Sequence, residues 1–218
     1  MSIEEKLDLE EINKGFVKKE SKERIKWAYE TFKEGLFLTT SGGNTSAVLP
    51  DLTREALGFC PPTIFVDTGY FNECTHNMLK YLEKEGYDIR IFKSLISKKE
   101  IEEKYPGWSD PGSDYFDKIV SIIKHEPLNI GLKELKVKAW LGGIMRHETE
   151  ERKKADFVQY IKGLYQVFPI LDWDDCKINE YLMFNKLPVN QYHFDITKGP
   201  DQKGECNIWK ECGIKRKD

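Results

Sequence analysis

The sequence predicts an α/β fold, in which a parallel, twisted sheet carries helices on both of its faces. Short apolar runs of strand length alternate along the chain with longer segments in which apolar residues recur at helical spacing. Strands that alternate with helices are joined by crossovers, which place the strands parallel and the helices against the sheet. The chain has 218 residues, of which 39% are hydrophobic, and this is enough for one full core.

The predicted elements follow one another in a regular order. Residues 21–34 have helical spacing, which Gly35 ends, and GLFLTT is the first strand. The helix NTSAVLPDLTREAL, the strand PPTIFVDTG, the helix NECTHNMLKYLEKEG and the strand YDIRIFKS come next. A mostly helical middle, from Ser97 to Gly131, is broken by the turn-forming segment KYPGWSDPGSD. VKAWLGGIM and LYQVFPIL are the fourth and fifth strands, and DDCKINEYLMFNKLP is a helix that stops before Pro188.

The pattern divides the chain into three parts. Residues 1–20 are acidic and amphipathic and are expected to form an N-terminal extension. Residues 21–190 contain all of the predicted strands and form the α/β domain. Residues 191–218 are polar, rich in Gly and Lys and without clear periodicity, so they are predicted to form a flexible C-terminal tail.

Composition and charge exclude several classes of function. The net charge is −3 and 33% of the residues are charged, with mixed signs, which argues against general attraction to nucleic acid or to a membrane. No apolar run approaches the roughly 18 residues of a membrane span, and the N-terminus lacks the apolar core of a signal peptide. We therefore expect no nucleic-acid partner, no membrane association and a cytoplasmic location. Any anionic ligand needs a local basic cluster.

The cysteines do not form a recognisable framework. Their number is odd and their spacing is irregular, unlike a set of structural disulfides, and the absence of a CxxC pair gives a zinc site little support. Two of them lie close together near the C-terminus, at a spacing that is poor for a shared metal. The five are Cys60, Cys74, Cys176, Cys206 and Cys212.

A polar turn, SGGNTS, joins the first strand to the following helix. At the carboxyl edge of a parallel sheet, such a turn presents backbone N–H groups and a helix N-terminus, and both favour an anion. Ser41 and Ser46 add hydroxyl donors, while Gly42 and Gly43 permit close approach of the backbone. The turn has neither the ending of a P-loop nor a GxGxxG fingerprint, so an ordinary tight turn remains the alternative.

Several segments resemble those of one enzyme family. SGGNTS resembles the modified phosphate loop of the adenine-nucleotide alpha-hydrolase superfamily, in the looser SxGxxS form of its sulfonucleotide reductases. PPTIFVDTGYFNECTHNML is similar to their VDTGxxxxET segment, KHEPLNIGL to K-V-E-P-L and WLGGIMRHETEER to G-x-x-R-x-x-x-x-x-R. The long block FPILDWDDCKINEYLMFNKLPVN and the terminal ECGIK are the most specific matches. From Leu36 to Ile214, the sequence resembles the phosphoadenylyl-sulfate (PAPS) and adenylyl-sulfate (APS) reductases.

The resemblance implies a reaction of sulfate assimilation, in which PAPS is reduced to sulfite and adenosine 3′,5′-bisphosphate. Cys212 would be the nucleophile that attacks sulfur and carries an S-sulfonate, and nearby cations such as Lys210 and Lys215 favour its thiolate. Thioredoxin or glutaredoxin would then be the electron donor and protein partner. Cys206 has no counterpart in the family, so a local resolving thiol and an incidental residue are both open.

Further residues are expected to bind the nucleotide. The family position suggests contact with the adenosine for three residues at the end of the second strand, although an ordinary strand-end turn is the alternative: Asp67, Thr68 and Gly69. Two arginines after the fourth strand, Arg146 and Arg152, suit a bidentate grip on phosphate or sulfate. A solvated basic patch is the alternative for both.

The resemblance also implies that no cofactor is bound. Iron–sulfur members of the family carry a Cys-Cys pair upstream of K-V-E-P-L, where Ile119 and Val120 stand in this chain. The sequence therefore resembles the cluster-free type that uses PAPS, although a preference for PAPS over APS cannot be derived from the residues. The oligomeric state is equally open, and a homodimer is one of the options.

Departures from the family pattern keep other functions open. Lys215 replaces a terminal histidine, and the segment between Asn190 and Cys206 is shorter than usual. The alternatives are a catalytically inactive adenine-nucleotide-binding protein and an ATP pyrophosphatase-type enzyme of the same superfamily. Thr45 argues against the second, because pyrophosphatases have an aspartate at that position.

Overall fold

The computed structural model of the chain describes residues 7–110 and 112–190. Six strands form one sheet: β1 (Leu36–Thr40), β2 (Thr63–Asp67), β3 (Ile89–Lys93), β4 (Ala139–Leu141), β5 (Val158–Ile161) and β6 (Leu164–Val167). The α-helices are α1 (Leu9–Phe16), α2 (Ser21–Phe32), α3 (Thr45–Leu57), α4 (Glu73–Lys84), α5 (Lys98–Lys104), α6 (Phe116–Val120), α7 (Glu126–Glu134), α8 (Glu150–Lys153) and α9 (Asp175–Phe184). Within the described ranges, no helix combines the length and the apolar character that crossing a membrane requires.

The strands lie in the order β3-β2-β1-β4-β6-β5. Every neighbouring pair from β3 to β6 is parallel, which confirms the predicted α/β sheet for those five strands. The predicted fourth and fifth strands are shorter than their apolar runs, because the residues after Leu141 and Val167 leave the sheet. These exits form the carboxyl edge at which a ligand is expected.

The sheet also has an antiparallel edge strand that the sequence analysis did not predict. The missed strand, β5, pairs with β6 in the antiparallel direction. Lys162 and Gly163 join the two strands as a two-residue turn with φ of +50° and +81°, and positive φ at both central residues is typical of a hairpin whose twist matches its strands. The sequence signal was therefore a Lys-Gly pair between two short alternating runs.

Apolar side chains cover the sheet on both faces, as predicted. Leu36 and Leu38 of β1 point into the larger core, which includes residues from α1, α2 and α3. Phe37, between them, points to the opposite face and packs with Leu132 of α7. Part of the segment 1–20 also joins the larger core, because Phe16 at the end of α1 is buried there.

A buried arginine links three distant segments. Arg24 of α2 is 1% exposed, and its guanidinium forms two hydrogen bonds of 2.7 and 2.8 Å with the carboxylate of Asp172. It also donates to the carbonyls of Phe16 and Pro169, at 3.0 and 2.8 Å. Burial alone would raise the pKa of Asp172, but the hydrogen bonds and charge of Arg24 hold that pKa below its ordinary value. The pair therefore stabilises the fold only while Asp172 is ionised.

We expect Asp172→Asn to lower the free energy of unfolding by about 3 kcal/mol at neutral pH, because it leaves a buried guanidinium without its counter-charge. The folded-state pKa of Asp172 is depressed, so its contribution is present above the unfolded value of about 4 and is lost as the pH falls. Urea unfolding at several pH values measures this difference, which should shrink below pH 4. Asp156→Asn, at an exposed site on the loop before β5, is the matched control, and equal losses in the two variants would contradict the assignment.

Candidate functional site

A cavity opens where the direction of strand addition reverses, between β1 and β4. The chain adds β2 and β3 on one side of β1 and then places β4 on the other side, which is the switch point at which open α/β sheets bind ligands. The ends of three strands and the start of α3 surround this cavity. Its polar lining residues are Thr39, Thr40, Ser41, Thr45, Ser46, Thr68, Lys124, Glu148 and Arg152.

The SGGNTS segment forms a tight glycine turn (residues 41–46) between β1 and α3. Gly42 has a φ of +84°, and its N–H donates to the Ser46 hydroxyl at 2.9 Å. A Cβ on Gly42 would lie 2.4 Å from Cγ2 of Thr75, so α4 packs directly against the turn. The hydrogen bond from Gly42 to the buried Ser46 closes the turn. Ser46 also lines the cavity, beside Ser41.

A second pair of glycines completes the other wall. Gly142 and Gly143 follow β4 and both line the cavity. A Cβ on Gly142 would lie 2.9 Å from the ring of Phe168, and one on Gly143 would lie 3.0 Å from Cβ of Thr45. The pair therefore allows the β4 loop to approach the start of α3. The WLGGIM segment contained this signal, but the glycines were not among the predicted site residues.

Of the three residues at the end of β2 that were predicted to bind the nucleotide, one lines the cavity. Thr68 is buried and lines it, and the Thr68 hydroxyl accepts the N–H of Tyr70 at 3.3 Å. Asp67 instead accepts the N–H of Gly69 at 3.0 Å, and Gly69 is exposed with a φ of +80°. Asp67 and Gly69 therefore shape the strand-end turn but do not line the cavity, and their contact with a ligand stays a prediction.

Lys124 is a cavity residue that the sequence predictions did not include. It is only 7% exposed, and it lies in a π-helical turn, Ser121–His125, that runs directly into α7. A π-helical turn shifts the following residues around the helix axis and is frequent at functional sites. The signal was the lysine of the segment similar to K-V-E-P-L. The structure thus adds a buried cation to the wall that also carries Leu128 and Trp140.

The second cation that lines the cavity is Arg152, whose contact with a ligand stays a prediction. Arg152 is the third residue of the short helix α8, and its guanidinium is paired with the carboxylate of Glu148. The same carboxylate accepts the N–H of Met145 at 2.7 Å. The side chains of Arg152 and Glu148 are 11% and 24% exposed, so both are held in place at the cavity.

Arg146 is placed differently from Arg152. Its Nε–H donates to the carbonyl of Ala155 at 3.3 Å, and its guanidinium carbon lies 4.7 Å from the centre of the Phe157 ring. It does not line the cavity formed by the described residues. Contact between Arg146 and a ligand therefore stays a prediction, while the contacts present support the loop after β4.

The cysteine predicted to be catalytic, Cys212, lies outside the described residues, as does Cys206. Of the cysteines that the structure describes, Cys60 is half-buried, and burial raises its pKa to about 12. Cys74 is half-buried and Cys176 is exposed. Across residues 7–110 and 112–190, no three His, Cys, Asp or Glu side chains are grouped as they would be around a metal ion.

The strand order and the glycine turn define an α/β fold of the adenine-nucleotide alpha-hydrolase type, and solved structures share it. A phosphoadenylyl-sulfate reductase from Candida auris, solved as a phosphate complex, superposes with a TM-score of 0.72 at 24% identity, over 88% of this chain and 92% of that one. The FMN adenylyltransferase of Candida glabrata, in complex with FMN and an ATP analogue, superposes with a TM-score of 0.59 at 15% identity, over 90% and 66%. These likenesses establish the fold.

Sequence comparison establishes the family. The family model described as the phosphoadenosine phosphosulfate reductase domain matches residues 35–196. The chain is 31% identical to the phosphoadenosine 5′-phosphosulfate reductase of Buchnera aphidicola, over 93% of this chain and 82% of the relative. It is 32% identical to that of Proteus mirabilis, over 88% and 79%. The chain therefore belongs to the phosphoadenosine phosphosulfate reductase family, which confirms the resemblance found in its motifs.

The overlap at Gly42 provides a test of the turn. We expect Gly42→Ala to lower the free energy of unfolding by about 2 kcal/mol more than Gly58→Ala, because only the first adds a steric overlap to an unfavourable φ. Gly58 is a matched control, since its φ is +82° and a Cβ added to it would meet nothing within 4 Å. Urea unfolding of the two variants measures the difference. Equal losses would mean that α4 does not constrain the turn.

Proposed function

We propose that this protein reduces 3′-phosphoadenylyl sulfate to sulfite and adenosine 3′,5′-bisphosphate at the expense of a thiol donor. The observation that carries the proposal is the cavity at the switch point, where a glycine turn and two largely buried cations, Lys124 and Arg152, converge. In a chain with a net charge of −3, this is the local positive cluster that an anionic ligand needs. Relatives at 30% identity or more are named for this reaction.

In this proposal, the turn and the cations bind the phosphosulfate of the nucleotide. Ser41 and Thr45 offer hydroxyl groups at the start of α3, where the helix dipole favours an anion. Lys124 supplies a point charge and Arg152 a planar set of donors that matches phosphate or sulfate oxygens. The proposal keeps the other residues that the sequence predicts to bind the nucleotide, which are Gly42, Gly43, Ser46, Asp67, Thr68, Gly69 and Arg146.

The chemical step is assigned to Cys212. Its thiolate attacks the sulfur atom of PAPS, and the bond between that sulfur and the bridging phosphate oxygen breaks with its electron pair on the nucleotide. The products are a Cys212 S-sulfonate and adenosine 3′,5′-bisphosphate. A thiolate of an external dithiol protein, of the thioredoxin or glutaredoxin class, then attacks the Cys212 sulfur and releases sulfite. The second donor thiol resolves the mixed disulfide, so the donor is oxidised to a disulfide while sulfur is reduced by two electrons.

The described cysteines are weaker candidates for this role. Cys60 stays protonated near neutral pH, since its pKa is raised to about 12 and the thiolate is the reactive form. Neither Cys74 nor Cys176 lies among the residues that line the cavity. A tail cysteine with lysines on both sides is the stronger candidate because nearby cations favour the thiolate.

We expect Cys212→Ser to abolish sulfite release from PAPS while the affinity for adenosine 3′,5′-bisphosphate stays within about twofold, because the thiolate attacks sulfur but does not hold the adenosine. Sulfite is measured with thioredoxin and without it, and the S-sulfonate is detected by mass spectrometry of the Cys212 peptide. Cys176→Ser, which removes an exposed cysteine on α9, is the control and should react like the parent.

Three results would overturn the proposed reaction. Sulfite release by Cys212→Ser at the parental rate would assign the chemistry to another group. Pyrophosphate release from ATP without sulfite release from PAPS would favour a pyrophosphatase. Tight binding of PAPS without an S-sulfonate would indicate a nucleotide-binding protein that has no reductase activity. Parallel assays with APS decide which sulfonucleotide the protein prefers.

The buried cation gives a separate test of the binding site. We expect Lys124→Gln to weaken binding of adenosine 3′,5′-bisphosphate by at least about tenfold, since it removes a charge-assisted contact made by a buried side chain. Isothermal titration calorimetry measures the affinity. Lys133→Gln, at an exposed site of α7, removes the same charge away from the cavity and should leave the affinity unchanged. Equal effects of the two variants would point to long-range charge rather than to a contact.

A further inference from the structure

Asn190 is bonded to the glycine turn although it lies 146 residues further along the chain. It is 4% exposed, and its side-chain amide donates to the carbonyl of Gly42 at 2.8 Å. The same amide lies 3.4 Å from the Thr75 hydroxyl. The backbone N–H of Asn190 donates to the side-chain carbonyl of Asn44 at 2.8 Å. Residue 190 therefore contacts both the turn and the helix that packs against it.

The bond to Asn44 changes what that residue does at the start of α3. An asparagine that precedes a helix usually accepts a hydrogen bond from an N–H of the first turn and so caps the helix. Asn44 occupies this position but has a helical backbone, with φ of −63° and ψ of −41°, and its side chain makes no capping bond. Its side-chain oxygen is engaged by Asn190 instead. Asn190 thus fixes the Asn44 side chain beside the turn.

The backbone amides at the start of α3 and in the turn before it differ in their hydrogen bonds. The N–H groups of Ser46 and Ala47 bond to the carbonyls of Gly43 and Asn44. The N–H groups of Gly43, Asn44 and Thr45 have no hydrogen-bond partner among residues 7–110 and 112–190. Thr45 also lines the cavity that contains Lys124 and Arg152. Three successive donors thus lie beside a positively charged cavity, at the positive end of a helix of 13 residues.

We propose that Asn190 is a positioning residue for the anion-binding turn. Its side chain bonds the Gly42 carbonyl and its backbone N–H bonds the Asn44 side chain, so it holds the turn in the conformation that presents three successive amides to the phosphosulfate. This inference rests on the proposed function, because it assumes that a nucleotide phosphate occupies the cavity. Without the Asn190 side chain, residue 190 is released from the Gly42 carbonyl, and the turn is no longer held in this conformation.

A double-variant cycle separates this role from a purely structural one. We expect Asn190→Ala to weaken binding of adenosine 3′,5′-bisphosphate by about tenfold, and Asn44→Ala alone to change it by less than about threefold. The decisive variant combines Asn44→Ala with Asn190→Ala. Because both substitutions act on the contact between residues 190 and 44, the combined variant should bind the nucleotide about as well as Asn190→Ala, whereas independent defects would multiply.

The measurements are calorimetric titration with adenosine 3′,5′-bisphosphate and urea unfolding of every variant. Asn185→Ala is the matched control, because this exposed asparagine loses one hydrogen bond, to the Tyr181 carbonyl at 3.0 Å, at a distance from the turn. If Asn190→Ala is not folded, Asn190→Ser takes its place in the same cycle. Parental affinity in a folded Asn190→Ala protein, or losses that multiply in the combined variant, would overturn the positioning role and leave the proposed function standing. A parent protein that does not bind the bisphosphate would overturn both.

Discussion

The hydrogen bonds of the buried Arg24 guanidinium are the interactions on which the packing of three chain segments depends. The guanidinium bonds at once to the carbonyl that ends α1, to the carbonyl of Pro169 and to the carboxylate of Asp172, so it joins three segments that are remote in sequence. Arg24 is only 1% exposed, and an unpaired buried charge is very costly. The guanidinium is therefore fully paired only when all three segments are in place. These contacts fix the FPILDW block to α2. Pro169 and Asp172 bond Arg24, and the indole N–H of Trp173 donates to the Ser21 hydroxyl at the start of α2.

This constraint extends from the core to the cavity through shared contacts. The centre of the Phe157 ring lies 3.9 Å from the guanidinium carbon of Arg24 and 4.7 Å from that of Arg146, so one aromatic side chain contacts both arginines. The N–H of Arg146 bonds the carbonyl of Leu171 at 2.9 Å, which fixes the loop after β4 to the segment that carries Asp172. The turn that begins at Arg146 then places Glu148, which holds Arg152 at the cavity wall. An arginine expected to bind the ligand thus supports, in the described structure, the arginine that lines the cavity.

The sequence predicts what depends on local pattern and misses what depends on distant contacts. The parallel strands, the helices on both faces and the turn at Ser41–Ser46 follow from apolar spacing and from glycine chemistry, and the structure confirms the fold. The strand β5 has only four residues, and it pairs with β6 through a Lys-Gly turn that lies between two short alternating runs. Lys124 reaches the cavity through a π-helical turn that no periodicity signals. The proximity of Gly143 to Thr45 requires β4 and β1 to be neighbours, which is a property of strand order rather than of either segment.

The electrostatics of the cavity explain why a chain with a net negative charge is suited to an anion. Lys124 and Arg152 are largely buried at the cavity wall, and Glu148 pairs with Arg152 and fixes the direction of its guanidinium. In the proposed function, an anion lies between these two cations and the amides of the glycine turn, an arrangement that suits a ligand with several negative oxygens. In the proposed reaction, the phosphate oxygen of the nucleotide gains charge as its bond to sulfur breaks. Fixed cations and backbone dipoles stabilise charge that develops in a transition state more than charge already present in the substrate, because they need no reorganisation. The groups proposed to bind the nucleotide are therefore also those that would favour its departure from sulfur.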